Sequence, residues 1–192
     1  MKHNKIIFLD IDGVLCVAQD LYDKLNYCCM LHLERIIKET GAKIVVSSSW
    51  RCGDLQLTKN NLVEHGLTQF LSDQIVGETV RKYHYVVDGS HLELCRGNEI
   101  ATYVSRSLRC PWHEYPEMKE LYEVKNPDGS FKQMMINKVG VNFSYVILDD
   151  NTDMLLCQKD YLIRTFEPAG LNGTNADNAI EILNKIDKYG KS

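Results

Sequence analysis

The chain reads as an α/β protein, a three-layer sandwich around a mainly parallel sheet. Three observations predict it. Short β-branched runs alternate with stretches of helical periodicity along most of the chain. The runs at 6–9, 44–46 and 145–148 are apolar throughout, as strands buried on both faces are. Three of them also end in polar residues: Asp10 and Asp12 after the first, Ser47 after the second, Asp149 and Asp150 after a later one. Open parallel sheets bind their ligands beyond the carboxyl ends of the strands. Packing alone gives no reason to place polar groups at three strand ends.

The first strand is expected over 5–10, where Ile6-Ile7-Phe8-Leu9 is an unbroken apolar run. Residues 26–40 read as an amphipathic helix, with Leu31, Leu33, Ile36 and Ile37 on or near its apolar face and Cys28-Cys29 on its buried side. Gly41 is its stop. Lys43-Ile44-Val45-Val46 is a buried strand, 55–65 a helix ended by Gly66, and Gln74-Ile75-Val76-Gly77 another short strand. A helix follows over 97–108, then a strand over Ser144-Tyr145-Val146-Ile147-Leu148. Asp153 to Gln158 reads as a helical turn and Tyr161 to Thr165 as the last strand. Asn175 to Lys188 reads as a terminal helix with Ile180, Leu183 and Ile186 spaced for burial. The sum is a single Rossmann-like domain over 1–192.

Segment 109–143 departs from this rhythm. Pro111, Trp112 and Pro116 precede Asn126-Pro127-Asp128-Gly129, a strong turn signal between two runs able to pair. A hairpin insertion on the core is expected there. It would cover a sheet edge or touch substrate, in the second case with Trp112, Tyr115 and Tyr122 stacking on bases.

Composition narrows the partners. A net charge of -4 gives no support for a strong non-specific nucleic-acid binder, though a local basic groove stays open. No apolar run is long enough to span a bilayer, and Asp10 and Asp12 interrupt the apolar stretch that would make a signal peptide. Seven cysteines, an odd number with no Cys-x-x-Cys pair, suit a reducing cytosol rather than a disulfide framework or a zinc ribbon. His84, His91 and His113 lack ligand spacing. A cytoplasmic protein with no obligate protein partner is the expectation.

The chemistry starts from Asp10-Ile11-Asp12-Gly13. Alternate side chains of a strand share a face, so Asp10 and Asp12 would meet at one spot if the chain stays extended. Carboxylates that close repel each other. Magnesium relieves the repulsion, because it takes oxygen ligands and keeps positions for water and phosphate. Asp10 is the candidate nucleophile toward phosphorus and Asp12 the candidate general acid and base. Asp149 would complete the metal shell, with Asp150 beside it. Ser47, with Ser48, offers hydroxyls to a phosphate oxygen. The cation that phosphoryl transfer needs is Arg96, at the start of a helix, or else Lys138.

These residues resemble the haloacid dehalogenase-like (HAD) phosphohydrolases. Phe8-Leu9-Asp10-Ile11-Asp12-Gly13-Val14-Leu15 resembles their first motif, Ile44-Val45-Val46-Ser47 the second, and Val146-Ile147-Leu148-Asp149-Asp150 the fourth. Arg96 departs from the usual lysine of the third, and the exchange is not neutral. Four further runs narrow the resemblance to a branch found alone and in multi-domain RNA-repair proteins. They are Ser47-Ser48-Ser49-Trp50-Arg51, Arg96-Gly97-Asn98-Glu99-Ile100, Leu148-Asp149-Asp150-Asn151-Thr152-Asp153-Met154 and Pro168-Ala169-Gly170-Leu171.

The resemblance implies a phosphomonoesterase working through an aspartyl-phosphate. Magnesium would sit on Asp10, the Asp12 carbonyl and Asp149, and Arg51 would touch substrate as in polynucleotide phosphatases. The interval between Gly13 and Ile44 leaves room for no large cap, and an open site suits a large substrate. A nucleotide or polynucleotide end leads, on the ground of the resemblance. A small metabolite phosphate, a phosphoprotein, and a non-catalytic scaffold that binds a partner are the alternatives.

Overall fold

The computed structural model describes residues 4–18, 24–79, 85–87, 90–92, 95–107 and 143–185. The expected hairpin insertion, with Trp112, Tyr115, Tyr122 and Lys138, lies outside them. The elements in order are β1 (Asn4–Leu9), α1 (Tyr27–Thr40), β2 (Lys43–Val46), α2 (Leu55–Glu64), α3 (Gln69–Gln74), β3 (Ile75–Glu78), β4 (Tyr85–Val87), β5 (Ser90–Leu92), α4 (Arg96–Ser107), β6 (Phe143–Asp149), a 3-10 helix (Leu156–Tyr161), β7 (Leu162–Arg164) and α5 (Gly173–Lys185). Five strands form one all-parallel sheet in the order β3-β2-β1-β6-β7, while β4 and β5 pair as a separate antiparallel hairpin. This is the α/β, Rossmann-like architecture the strand pattern predicts.

The period-two alternation of the strands divides the core in two. Ile7, Leu9, Ile44, Val46, Val146 and Leu148 face a layer that includes α1 and α5, together with Leu62 and Leu71 from α2 and α3. Ile6, Phe8, Val45, Tyr145 and Ile147 face Ile100 and Val104 of α4. The sheet is thus covered on both sides, which is why its strands carry no polar alternation.

Local chemistry sets the helix ends. The Asn26 side chain accepts from Cys29 N at the start of α1, and Gly41 closes it in the left-handed region at φ 70°. The buried stripe of α1 is Cys29, Met30, Leu33, Ile36 and Ile37. Two expectations fail here: Cys28 and Leu31 are exposed. Leu31 lies two residues past Cys29, about 200° around a helix with 3.6 residues per turn, so the apolar stripe passes it by. The expected turn at 153–158 forms slightly later, as the 3-10 helix. Neither α3 nor the β4–β5 hairpin was expected, because six and three residues are too short to show a period.

Packing around Gly97 fixes where α4 begins. A side chain there would press on Leu155 N and the Gln158 side-chain oxygen. Gln158, fully buried, donates to Gly97 O while its oxygen accepts from Leu155 N. Gly97→Ala should therefore destabilise the protein by about 1–3 kcal/mol through overpacking, despite alanine's better helix propensity. Urea denaturation measures it; an unchanged midpoint would show that the contact is not tight.

Candidate active site

Strand register gathers the site. Leu9 of the central strand β1 stands opposite Val46 on one side and Leu148 on the other, so Asp10, Ser47 and Asp149 leave the sheet at one level. Backbone pairing continues past the strands: Asp10 N donates to Leu148 O, Ser47 N to Leu9 O, and Thr165 N to Asp149 O. Asp10 and Asp149 are 4% and 2% exposed. With Asp150 they bring carboxylate oxygens within 4.8 Å of one another. Asp150 also packs on the turn at Gly13, which has φ 68° and no room for a Cβ against the Asp150 carboxylate.

Burial makes this cluster costly. Asp10 is pushed above the ordinary carboxylate range by desolvation, while Arg96, Ser48 and the Ile11 backbone pull it back. Asp149 is pushed up to about 7, by burial first and by the Asp10 charge second. Asp10 Oδ1 has no hydrogen-bond partner among the described residues. An all-oxygen set of like charges with a buried, unpartnered oxygen fits a hard divalent cation.

Arg96 lies across the cluster. Its Nη2 is 3.9 Å from Asp10 Oδ1 and its Nε 3.9 Å from Asp149 Oδ2. Arg96 therefore falls beside the acids, while the alternative cation, Lys138, lies outside the described residues. The first turn of α4 is anchored to the loop after β6: Arg96 N donates to Asp153 Oδ2 at 2.9 Å and Gly97 N to Asp153 O.

Other expected residues take different places. The Asp12 carboxylate is not in the acidic cluster. It accepts from the Ser49 hydroxyl at 3.0 Å and from the Trp50 indole N–H at 2.8 Å. Trp50 in turn meets His65 edge to face at 4.9 Å between centroids. Sequence reasoning missed Trp50 as a support for Asp12; the run Ser49-Trp50 next to a strand end was the only signal. The Ser48 hydroxyl acts on Asp10, whereas that of Ser47 accepts from Thr79 at 3.1 Å.

Arg51 does not fit the expected substrate contact. It is buried, donating to Ser48 O, to Thr79 O and Oγ1, and to Glu99 Oε2 at 2.8 Å. A guanidinium committed to that many protein acceptors braces the loop after β2 against the start of α4.

The family model described as HAD domain in Swiss Army Knife RNA repair proteins matches residues 6–115, more than half of the chain. The chain belongs to that family, and a HAD domain implies phosphohydrolase-type chemistry. The match ends before Asp149 and Asp150, which the pairing of β6 with β1 brings to the same site. Comparisons with curated proteins and with solved structures gave no match.

The raised Asp149 has a consequence for stability. Between the ordinary value of 3.8 and about 7 the folded protein keeps a proton that the unfolded chain releases. Stability without divalent cations should fall as pH rises through that window. Asp149→Asn should flatten the fall and be the more stable form at pH 8, as read from urea midpoints against pH. Parallel profiles for the two proteins would show that Asp149 titrates normally.

Proposed function

We propose that this HAD-family protein is a magnesium-dependent phosphomonoesterase that acts through an aspartyl-phosphate on Asp10, with a nucleotide or polynucleotide end as substrate. One observation carries the reading. Asp10, Asp149 and Asp150 converge at the carboxyl ends of parallel strands, with the Arg96 guanidinium 3.9 Å from two of them. Asp10, Asp149 and Asp150 would hold the magnesium ion. When bound, it neutralises charge on the acids and on the phosphoryl group.

The chain's own residues supply the rest. A carboxylate oxygen of Asp10 attacks phosphorus, the ester P–O bond breaks, and Asp12 gives its proton to the leaving oxygen. Water then attacks the aspartyl-phosphate, Asp12 takes a proton from it, and inorganic phosphate leaves with Asp10 restored. Ser49 and Trp50 hold the Asp12 carboxyl throughout. Arg96 and the Ser48 hydroxyl offer donors to the phosphoryl oxygens. The substrate class rests on two supports: the RNA-repair description of the family, and the single helix α1 as the only described element between β1 and β2.

Phosphate release with magnesium tests the proposal, on an aryl phosphate, mononucleotides, and oligonucleotides phosphorylated at the 5′ or 3′ end. Asp10→Asn should lower turnover at least about 1,000-fold without unfolding the protein, and oligonucleotide ends should be preferred. A preference for mononucleotides or the aryl phosphate would replace the substrate class. An active Asp10→Asn would end the nucleophile assignment, and no release from any substrate would favour a binding scaffold.

Magnesium should also raise the melting temperature of the wild type but not that of Asp149→Asn. Equal shifts in the two proteins would place the ion elsewhere.

A further inference from the structure

Glu99 is 7% exposed on the first turn of α4. Its Oε2 accepts from Arg51 Nη1 at 2.8 Å, and the same oxygen lies 3.8 Å from Arg96 Nη1. Arg96 therefore stands among three carboxylates, those of Asp10, Glu99 and Asp149, at 3.8 to 3.9 Å from each. All three distances exceed the roughly 2.7–2.9 Å of a charge-assisted hydrogen bond.

An arginine beside an acid ordinarily closes onto it with two parallel bonds. Here it closes onto none. Its Nη1 is buried without a hydrogen-bond partner among the described residues, a condition that costs free energy until a ligand relieves it.

We propose that Glu99 is a positioning residue for Arg96. Its negative charge, beside Nη1 while Asp10 and Asp149 lie beside Nη2 and Nε, holds the guanidinium off Asp10 and leaves it ready to meet an oxygen of the phosphoryl group. The inference rests on the phosphatase reading above and adds to it the residue that sets the clamp.

Arg51 explains why Glu99 does not capture Arg96 outright. The short bond on Oε2 already belongs to Arg51, which is itself fixed to Ser48 O and to Thr79. Glu99 is held at a distance from which it attracts Arg96 without a short hydrogen bond to it. The chain from Ser48 through Arg51 and Glu99 to Arg96 thus links the loop after β2 to the third-motif cation.

The test separates positioning from structural support. Glu99→Gln keeps the size and an acceptor for Arg51 but removes the charge. Inhibition by inorganic phosphate, in magnesium, should weaken about tenfold as Arg96 relaxes onto the aspartates and loses its charge-assisted bonds to the anion. In an Arg96→Ala background the same change should add less than about twofold, because contacting residues that act as a unit are not additive.

A tenfold loss repeated in both backgrounds would overturn the proposal in favour of general support. Unchanged phosphate inhibition in Glu99→Gln would overturn it as well. Should Glu99→Gln fail to fold, the double change Arg51→Met with Glu99→Met removes the buried pair without stranding either charge and should weaken phosphate in the same way. If Arg96→Ala itself leaves turnover and phosphate inhibition at wild-type values, the phosphatase reading of Arg96 has failed, and Glu99's role falls with it. That outcome is distinct from a failure of Glu99 alone.

Discussion

Asp10 and Asp149 repel each other, and the carboxyl end of the sheet is arranged around that repulsion. The two leave adjacent parallel strands at one level, so register alone forces their charges together. Burial then sharpens the conflict, because the low-dielectric interior screens poorly. A fold would gain stability by making either residue apolar. The features nearby instead offset the charge without removing it. Arg96 lies within 4 Å of both, the Ser48 hydroxyl acts on Asp10, and the Asn151 backbone N–H donates to Asp149. Perturbed carboxyls of this kind cluster at functional sites.

Holding a cation beside the pair requires α4 to start in one place. Three contacts do this, and all come from the segment after β6. Asp153 accepts from Arg96 N and Gly97 N, Leu155 presses on the bare face of Gly97, and Gln158 accepts from Leu155 N and donates to Gly97 O. The start of the 96–100 run and the end of the 148–154 run, extended to Gln158, thus form one structural joint. The sequence pattern marks them as separate motifs; the fold makes them two halves of the Arg96 mount.

What was legible in the sequence was what a strand or helix period can encode. Ile6 to Leu9, Ile44 to Val46 and Tyr145 to Leu148 announce buried strands, and the polar residues that end them announce the site. The elements missed were short: a six-residue α3 begun by the Thr68 cap and a hairpin of three-residue strands. The contacts missed were side-chain choices that no spacing encodes. Arg51 looked able to reach substrate, yet its neighbours Thr79 and Glu99, far away in the chain, claim its donors. Cys28 and Leu31 looked buried by composition, yet the helix stripe passes them by.

Two identical groups two residues apart, Asp10 and Asp12, take up different surroundings. Asp10 is buried, keeps one oxygen without a hydrogen-bond partner among the described residues, and has a guanidinium nearby. Under the phosphatase reading, that oxygen is the one that attacks phosphorus, with Arg96 drawing the phosphoryl group in. Asp12 is half-buried and has each of its oxygens engaged by a neutral donor, Ser49 and Trp50. A carboxyl held by neutral donors can lose or gain a proton without breaking an ion pair, which a proton carrier needs and a nucleophile does not. The turn after Ile11, closed by Gly13 at φ 68°, is what moves Asp12 out of the acidic cluster. A chain that stayed extended to Asp12 would have placed a fourth carboxylate among three. Under the phosphatase reading, the glycine of this motif therefore does more than end a strand: it divides the acids into a metal-binding set and a proton-handling one.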